Sequence, residues 1–171
     1  MQLTGVFLLF FLFPVSALID DHNWIQFKGR WSVLSEGTVF PGVSGFLAQI
    51  GERENATYGH AFFSRFNKFC ARYVTSAGEL KLECDRFKVL GGDNYQLTRT
   101  SDFLKSQGTR NPSNLSRVPV LIHSGNDADG VFYGWADLTR SEAAGITRHS
   151  IVYRLIGRRA LAKRCRVIQE G

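Results

Sequence analysis

The second half of this 171-residue chain repeats the first, imperfectly and in order, which constrains the fold more than any other feature. Tyr58-Gly59-His60-Ala61 returns as Tyr133-Gly134-Trp135-Ala136. Thr38-Val39-Phe40-Pro41 returns as Ser116-Arg117-Val118-Pro119, Gly78 as Gly157, and Arg86-Phe87-Lys88-Val89-Leu90 as Arg164-Cys165-Arg166-Val167-Ile168. Each match lies roughly 75–80 positions from its partner, beyond the ~20–50 residues of solenoid units. The sequence therefore predicts an all-β fold: two small antiparallel β units, pseudo-symmetric and packed as one body.

Local pattern agrees. Trp24-Ile25-Gln26-Phe27, Arg72-Tyr73-Val74, Leu80-Lys81-Leu82 and Ile151-Val152-Tyr153-Arg154-Leu155 read as strands. Polar, Gly-marked breaks separate them: Ser35-Glu36-Gly37, Ala77-Gly78-Glu79, Gly91-Gly92-Asp93-Asn94 and Asp127-Ala128-Asp129-Gly130. The expected organisation is a signal peptide over 1–17, a first repeat over 18–92 and a second over 93–171. Lys105 to Arg117 reads as the loop between copies. A short helix fits Thr100 to Ser106, or Leu138 to Ala144 with Ser141.

Gly5 to Phe13 is an apolar run followed by Pro14-Val15-Ser16-Ala17, with no Lys or Arg ahead of it. It fits the ~7–15-residue core of a signal peptide and falls short of the ~20 residues of a spanning helix. No later stretch is apolar enough to span, so the chain is expected to be secreted, extracellular and without a membrane span. Cys70 and Cys84 lie symmetrically about Ala77, so a hairpin turning at Ala77-Gly78 sets them face to face. An oxidising compartment then allows a disulfide, two reduced cysteines being the alternative. Cys165 takes the place of Phe87 and reads as a buried apolar filler; an intermolecular bridge through it leaves a homodimer open. Asn55-Ala56-Thr57 and Asn114-Leu115-Ser116 are glycosylation sequons in predicted loops.

Enzyme signatures are missing: no Gly-x-Ser-x-Gly elbow, no phosphate loop, no His-Glu-x-x-His and no Cys-x-x-Cys. His22, His60, His123 and His149 show no metal-ligand spacing. The expectation is binding without catalysis, metal or cofactor. Two features stand out. Asp127 and Asp129 sit in a loop feeding the strand Val131-Phe132-Tyr133-Gly134-Trp135, where Tyr133 and Trp135 share a face. A carboxylate beside an aromatic platform suits a sugar, since one accepts from hydroxyls and the other covers a C–H face. A hairpin turn using Asp129-Gly130 is the competing account. Secondly, Arg154, Arg158, Arg159, Lys163, Arg164 and Arg166 cluster in a chain of net charge +6. They suit an anionic polysaccharide or membrane, with a charged, solvated edge strand as the competing account. Secretion argues against nucleic acid.

The order of motifs resembles the tandem DM-nine repeats of invertebrates. The first copy reads Trp31, Gly37-Thr38-Val39-Phe40-Pro41, Tyr58-Gly59-His60-Ala61-Phe62, Cys70-Ala71-Arg72-Tyr73-Val74, Gly78-Glu79 and Phe87-Lys88-Val89-Leu90. The second reads Val118-Pro119, Ser124 to Gly130, Tyr133-Gly134-Trp135-Ala136, Gly145, Gly157-Arg158 and Cys165-Arg166-Val167-Ile168. The resemblance implies an all-β fold and, in lectin members, binding of mannose-type sugars in innate defence. It also implies a site pairing an Asp after the proline with a Lys in a Pro-Gly-Lys turn. Asp127 matches the Asp; Ile50 stands there in the first copy, near Glu52 and Glu54. The turn is reduced to Ala144-Gly145-Ile146, with Arg148 the nearest cation, while Arg65 or Lys68 would serve the first copy. The family Arg before the strand Ala is His60 in one copy and Trp135 in the other.

The sequence thus points to a secreted glycoprotein that binds glycans or glycoproteins, in defence or at a host–microbe surface. Asp127 and Asp129 are the expected acceptors, Tyr133 or Trp135 the platform, and Arg148 and Lys68 the donors. A protein-interaction module without a sugar site, and an anionic-glycan binder through the basic C-terminal surface, are the alternatives.

Overall fold

Apolar side chains occur on both faces of the central strands, and both faces are covered. A computed structural model describes residues 19–26, 30–107, 117–125 and 130–171, forming two six-stranded antiparallel sheets. The first contains β1 (Trp24–Gln26), β2 (Phe46–Ile50), β3 (Thr57–Phe63), β4 (Phe69–Val74), β5 (Leu80–Glu83) and β6 (Phe87–Leu90). The second contains β7 (Tyr95–Arg99), β8 (Val118–His123), β9 (Val131–Asp137), β10 (Glu142–Ile146), β11 (Val152–Ile156) and β12 (Cys165–Glu170). Three short α-helices among the described residues each link strands of one sheet: α1 (Arg30–Glu36), α2 (Thr100–Ser106) and α3 (Arg158–Arg164). The helix expected at Thr100 to Ser106 is α2. Leu138 to Ala144 is instead a turn running into β10.

The strand orders are the same. One sheet runs β1-β6-β2-β3-β4-β5, the other, read from its far edge, β7-β12-β8-β9-β10-β11. In each, four strands meander and the last returns to lie between the first and second. Register makes the equivalence residue-specific: Gly59 opposes Ala48 and Tyr73, and Gly134 opposes Val120 and Gly145. Tyr58–Ala61 and Tyr133–Ala136 therefore hold the same place in the two units. The shared glycine has a steric cause. A Cβ on Gly59 would stand 2.2 Å from the carbonyl oxygen of Arg72, and one on Gly134 2.2 Å from that of Ala144.

Two of the expected matches are corrected. Pro41 lies in a turn before β2, whereas Pro119 lies inside β8 opposite Trp135; the β12 ladder on β8 starts only at Val120, so Pro119 needs no donor on that side. Ser116 lies outside the described residues. Gly78 closes the β4–β5 turn by donating its N–H to Thr75 O at 2.9 Å, and Ser150, not Gly157, does the same to Thr147 O at 2.9 Å. Gly157 precedes α3. Cys165 does stand where Phe87 stands, opposite Ile122 as Phe87 is opposite Ile50, and it is buried. Burial pushes its thiol up to about 12.

Strand alternation sends Trp24, Leu47, Tyr58, Val74 and Leu90 of one sheet against Leu121, Tyr133, Trp135, Ile146 and Ile168 of the other, in one shared core. The outer face of the first sheet (Phe46, Phe69, Phe87) packs under Val33 of α1. That of the second (Val120, Ile122, Phe132, Val167) packs under Phe103 of α2 and Leu161 of α3. The architecture is helix, sheet, sheet, helix. Cys70 and Cys84 form a disulfide with Cα atoms 4.1 Å apart, tying β4 to the chain leaving β5. No helix among the described residues is long and apolar enough to cross a membrane.

Candidate functional site

The aromatic pair marked by the sequence is structural. Tyr133 and Trp135 do project to one face, but that face is the shared core, where they are 1% and 2% exposed. Trp135 donates its indole N–H to Val74 O at 2.7 Å, bonding one unit to the other, and Arg117 stacks on its ring at 4.7 Å. Tyr133 reaches Gly45 O at 3.5 Å, and burial holds its hydroxyl at about 12. Neither ring is a platform for a ligand. Asp127, Asp129 and Asn114 lie outside the described residues, as does the signal segment. Ala144-Gly145-Ile146 is buried inside β10 and forms no turn. Arg148 is exposed on the β10–β11 turn, its Nε bonded to His149 Nε2 at 3.2 Å, while Lys68 is exposed on the β3–β4 turn of the other sheet. Asn55 is exposed at the end of a short 3-10 turn, Arg53–Asn55.

The basic stretch divides. It begins with Arg154 on β11, an edge strand of its sheet, continues through α3, whose Leu161 packs inward, and ends on β12 in the interior of that sheet. Arg164 donates to Ser124 O and to the Tyr153 hydroxyl, and Arg166 to Cys165 O at 2.8 Å. Arg154 lies against Gly78, on the other unit. Arg158, Arg159 and Lys163 remain together and exposed on α3, and none of them forms an ion pair among the described residues.

An open groove of about 780 Å³ lies where two of the Gly-marked breaks meet. Gly37 and Gly91 form an antiparallel bridge; Thr38 N donates to Leu90 O at 2.8 Å and Gly92 N to Glu36 O at 3.2 Å. This pairing places the exposed carboxylates of Glu36 and Asp93 along one groove, with Ser35 beside Glu36 and the Tyr95 ring beside Asp93. Tyr95 bonds Gly91 O, and its ring lies 6.4 Å from that of Phe40. Burial, reinforced by the negative charges of Glu170 and Asp93, pushes its hydroxyl up to about 12, so it keeps its proton. Carboxylates beside an aromatic ring are the elements expected of the 125–130 loop and its strand; here Glu36, Asp93 and the half-buried Tyr95 bring them together. Both breaks were visible in the sequence; their meeting depends on the Gly37–Gly91 bridge. No cluster of metal-ligating side chains occurs among the described residues.

The chain matches no protein-family model and no curated protein. Among solved structures it is similar to the nematode sperm cell motility protein MFP2B, with TM-score 0.56 and 16% identity over 78% of this chain and 40% of that one. At that identity the likeness shows the fold alone. The match spans 40% of the length of MFP2B.

Proposed function

We propose that this protein is a secreted, non-catalytic carbohydrate-binding module, a divergent relative of the DM-nine repeats, that takes a neutral, mannose-type glycan in the Glu36–Tyr95 groove. The supporting observation is the juxtaposition of the Glu36 and Asp93 carboxylates with the Tyr95 ring in an open cleft. Carboxylates accept from vicinal hydroxyls, and a ring face covers the apolar side of a pyranose. The disulfide and the apolar N-terminal run are consistent with an extracellular setting. The test is a glycan array followed by titration of the best neutral hit. Asp93→Asn and Glu36→Gln each lower affinity about tenfold, as loss of a charge-assisted hydrogen bond of ~1.5–3 kcal/mol requires. Added salt leaves the affinity nearly unchanged. Loss of binding on Asp127→Ala, with both groove variants intact, would move the site to the 125–130 loop.

A second reading rests on Arg158, Arg159 and Lys163, which face solvent together on α3. They suit a sulfated or otherwise anionic glycan, and that binding would weaken steeply with salt.

A further inference from the structure

The two most exposed large apolar side chains among the described residues, Trp31 and Phe66, both lie on the first unit. Trp31, in the first turn of α1, is 83% exposed; Phe66, in the β3–β4 turn, is 94% exposed; Leu34, one helical turn after Trp31, is 50% exposed. The helix and the turn are fastened together: Arg30 Nη1 donates to Asn67 Oδ1 at 2.8 Å, and the Arg30 guanidinium lies 5.2 Å from the centre of the Phe63 ring. Trp31 and Phe66 are the chain neighbours of that bonded pair, so both exposed rings belong to the two elements fastened together there. The turn is itself closed, by Ser64 N to Lys68 O at 2.8 Å and Asn67 N to Ser64 O at 2.9 Å. Three cations, Arg30, Arg65 and Lys68, flank the rings at the surface, and none forms an ion pair with a carboxylate among the described residues.

We infer that this face docks on the interface of an anionic lipid bilayer, with Trp31 and Phe66 entering the headgroup region and Arg30, Arg65 and Lys68 meeting lipid phosphates and carboxylates. The charge complementarity is direct. The shape also favours lipid. Protein hot spots seat aromatics in pockets that exclude water, whereas here the rings project from two separate elements. The groove described above is lined by other residues. A bilayer interface accepts projecting amphipathic rings without a matching surface and gains from basic residues beside them.

Intrinsic fluorescence isolates the event. Of the three tryptophans, Trp24 and Trp135 are buried, so Trp31 is the solvent-facing reporter. The purified protein is mixed with phosphatidylcholine vesicles, with and without phosphatidylserine, and followed by sedimentation and emission. It sediments with the anionic vesicles, and its emission shifts to the blue. The Trp31→Ala/Phe66→Ala double variant loses at least ~tenfold in partitioning, about 1.4 kcal/mol. Arg65→Gln/Lys68→Gln loses the preference for anionic vesicles and its salt dependence. Phe66→Ser alone, at a turn tip with no packed neighbour to lose, gives an intermediate loss with an unchanged melt. Failure to sediment with anionic vesicles overturns the inference. So does sedimentation equal in the double variant, and so does capture of a protein partner through Trp31 and Phe66 while vesicles are ignored.

Discussion

The two units share a strand order and differ in how they close one edge. In the first, β5 leads to β6 through Cys84-Asp85-Arg86 alone, and the disulfide from Cys84 to Cys70 pins that corner. In the second, the equivalent positions are Glu142 and Ile156, paired across β10 and β11 but not bonded covalently. There the link to β12 is α3, which buries Leu161 against the sheet. One corner is held by a cross-link, the other by an apolar helix. The ladder tolerated no such exchange: Gly59 and Gly134 are kept because a neighbouring carbonyl occupies the space a side chain would need.

Breaking that shared feature should cost most. Gly59→Ala and Gly134→Ala each force a methyl onto a neighbouring strand's carbonyl, and each should destabilise by about 3 kcal/mol or more in chemical denaturation. A large effect in one unit and none in the other would mean that the sheets are not equivalent there. The corner comes next. Removing the disulfide with Cys70→Ala/Cys84→Ala should cost ~3 kcal/mol, as expected for a closed loop of about 15 residues. Installing its counterpart with Glu142→Cys/Ile156→Cys should recover less, about 1 kcal/mol, since α3 already holds that end. Melts under oxidising and reducing conditions separate the two.

A pH-dependent difference concerns His60, which stands where the second unit has Trp135. Its Nε2 is buried without a hydrogen-bond partner, and burial, with Arg72 adding to it, pulls the imidazole down to about 4. The folded protein thus keeps His60 neutral, while the unfolded chain protonates it below about 6.5. Unfolding takes up a proton between these values, so stability falls as pH drops from about 6.5 towards 4 and falls no further on this account below 4. Comparing His60→Gln with the parent across that window should flatten the pH dependence by on the order of 2 kcal/mol. An unchanged slope would place the titration elsewhere.

Much of the fold was legible. Repeated motifs gave two β units, the symmetry of Cys70 and Cys84 about Ala77 gave their disulfide, and Thr100 to Ser106 gave α2. The two false matches arose because loop lengths differ between units, so no single offset aligns all the strands. The site was harder to read for a physical reason. A sheet with one wet face shows which residues point outward, but here one face of each sheet meets the other sheet and the opposite face meets helices. Tyr133 and Trp135 could be assigned to one face, yet nothing in their spacing said that it was the inner one. α3 was hidden by its composition: Arg158, Arg159, Lys163 and Arg164 mask a helix anchored inward mainly by Leu161.

The place of the last strand in each unit has a consequence for how the protein is made. β6 lies between β1 and β2, and β12 between β7 and β8, so neither final strand is an edge. As the chain leaves the ribosome, the first sheet can complete itself before β8 exists. Among the described residues β7 pairs with β12 alone, and it waits unpaired while the rest of its sheet is synthesised. Its sequence, Tyr95-Gln96-Leu97-Thr98-Arg99, is mostly polar, which suits a strand whose edge stays open to strangers for that interval. A pause in translation late in the second unit would prolong that interval and leave the first unit untouched.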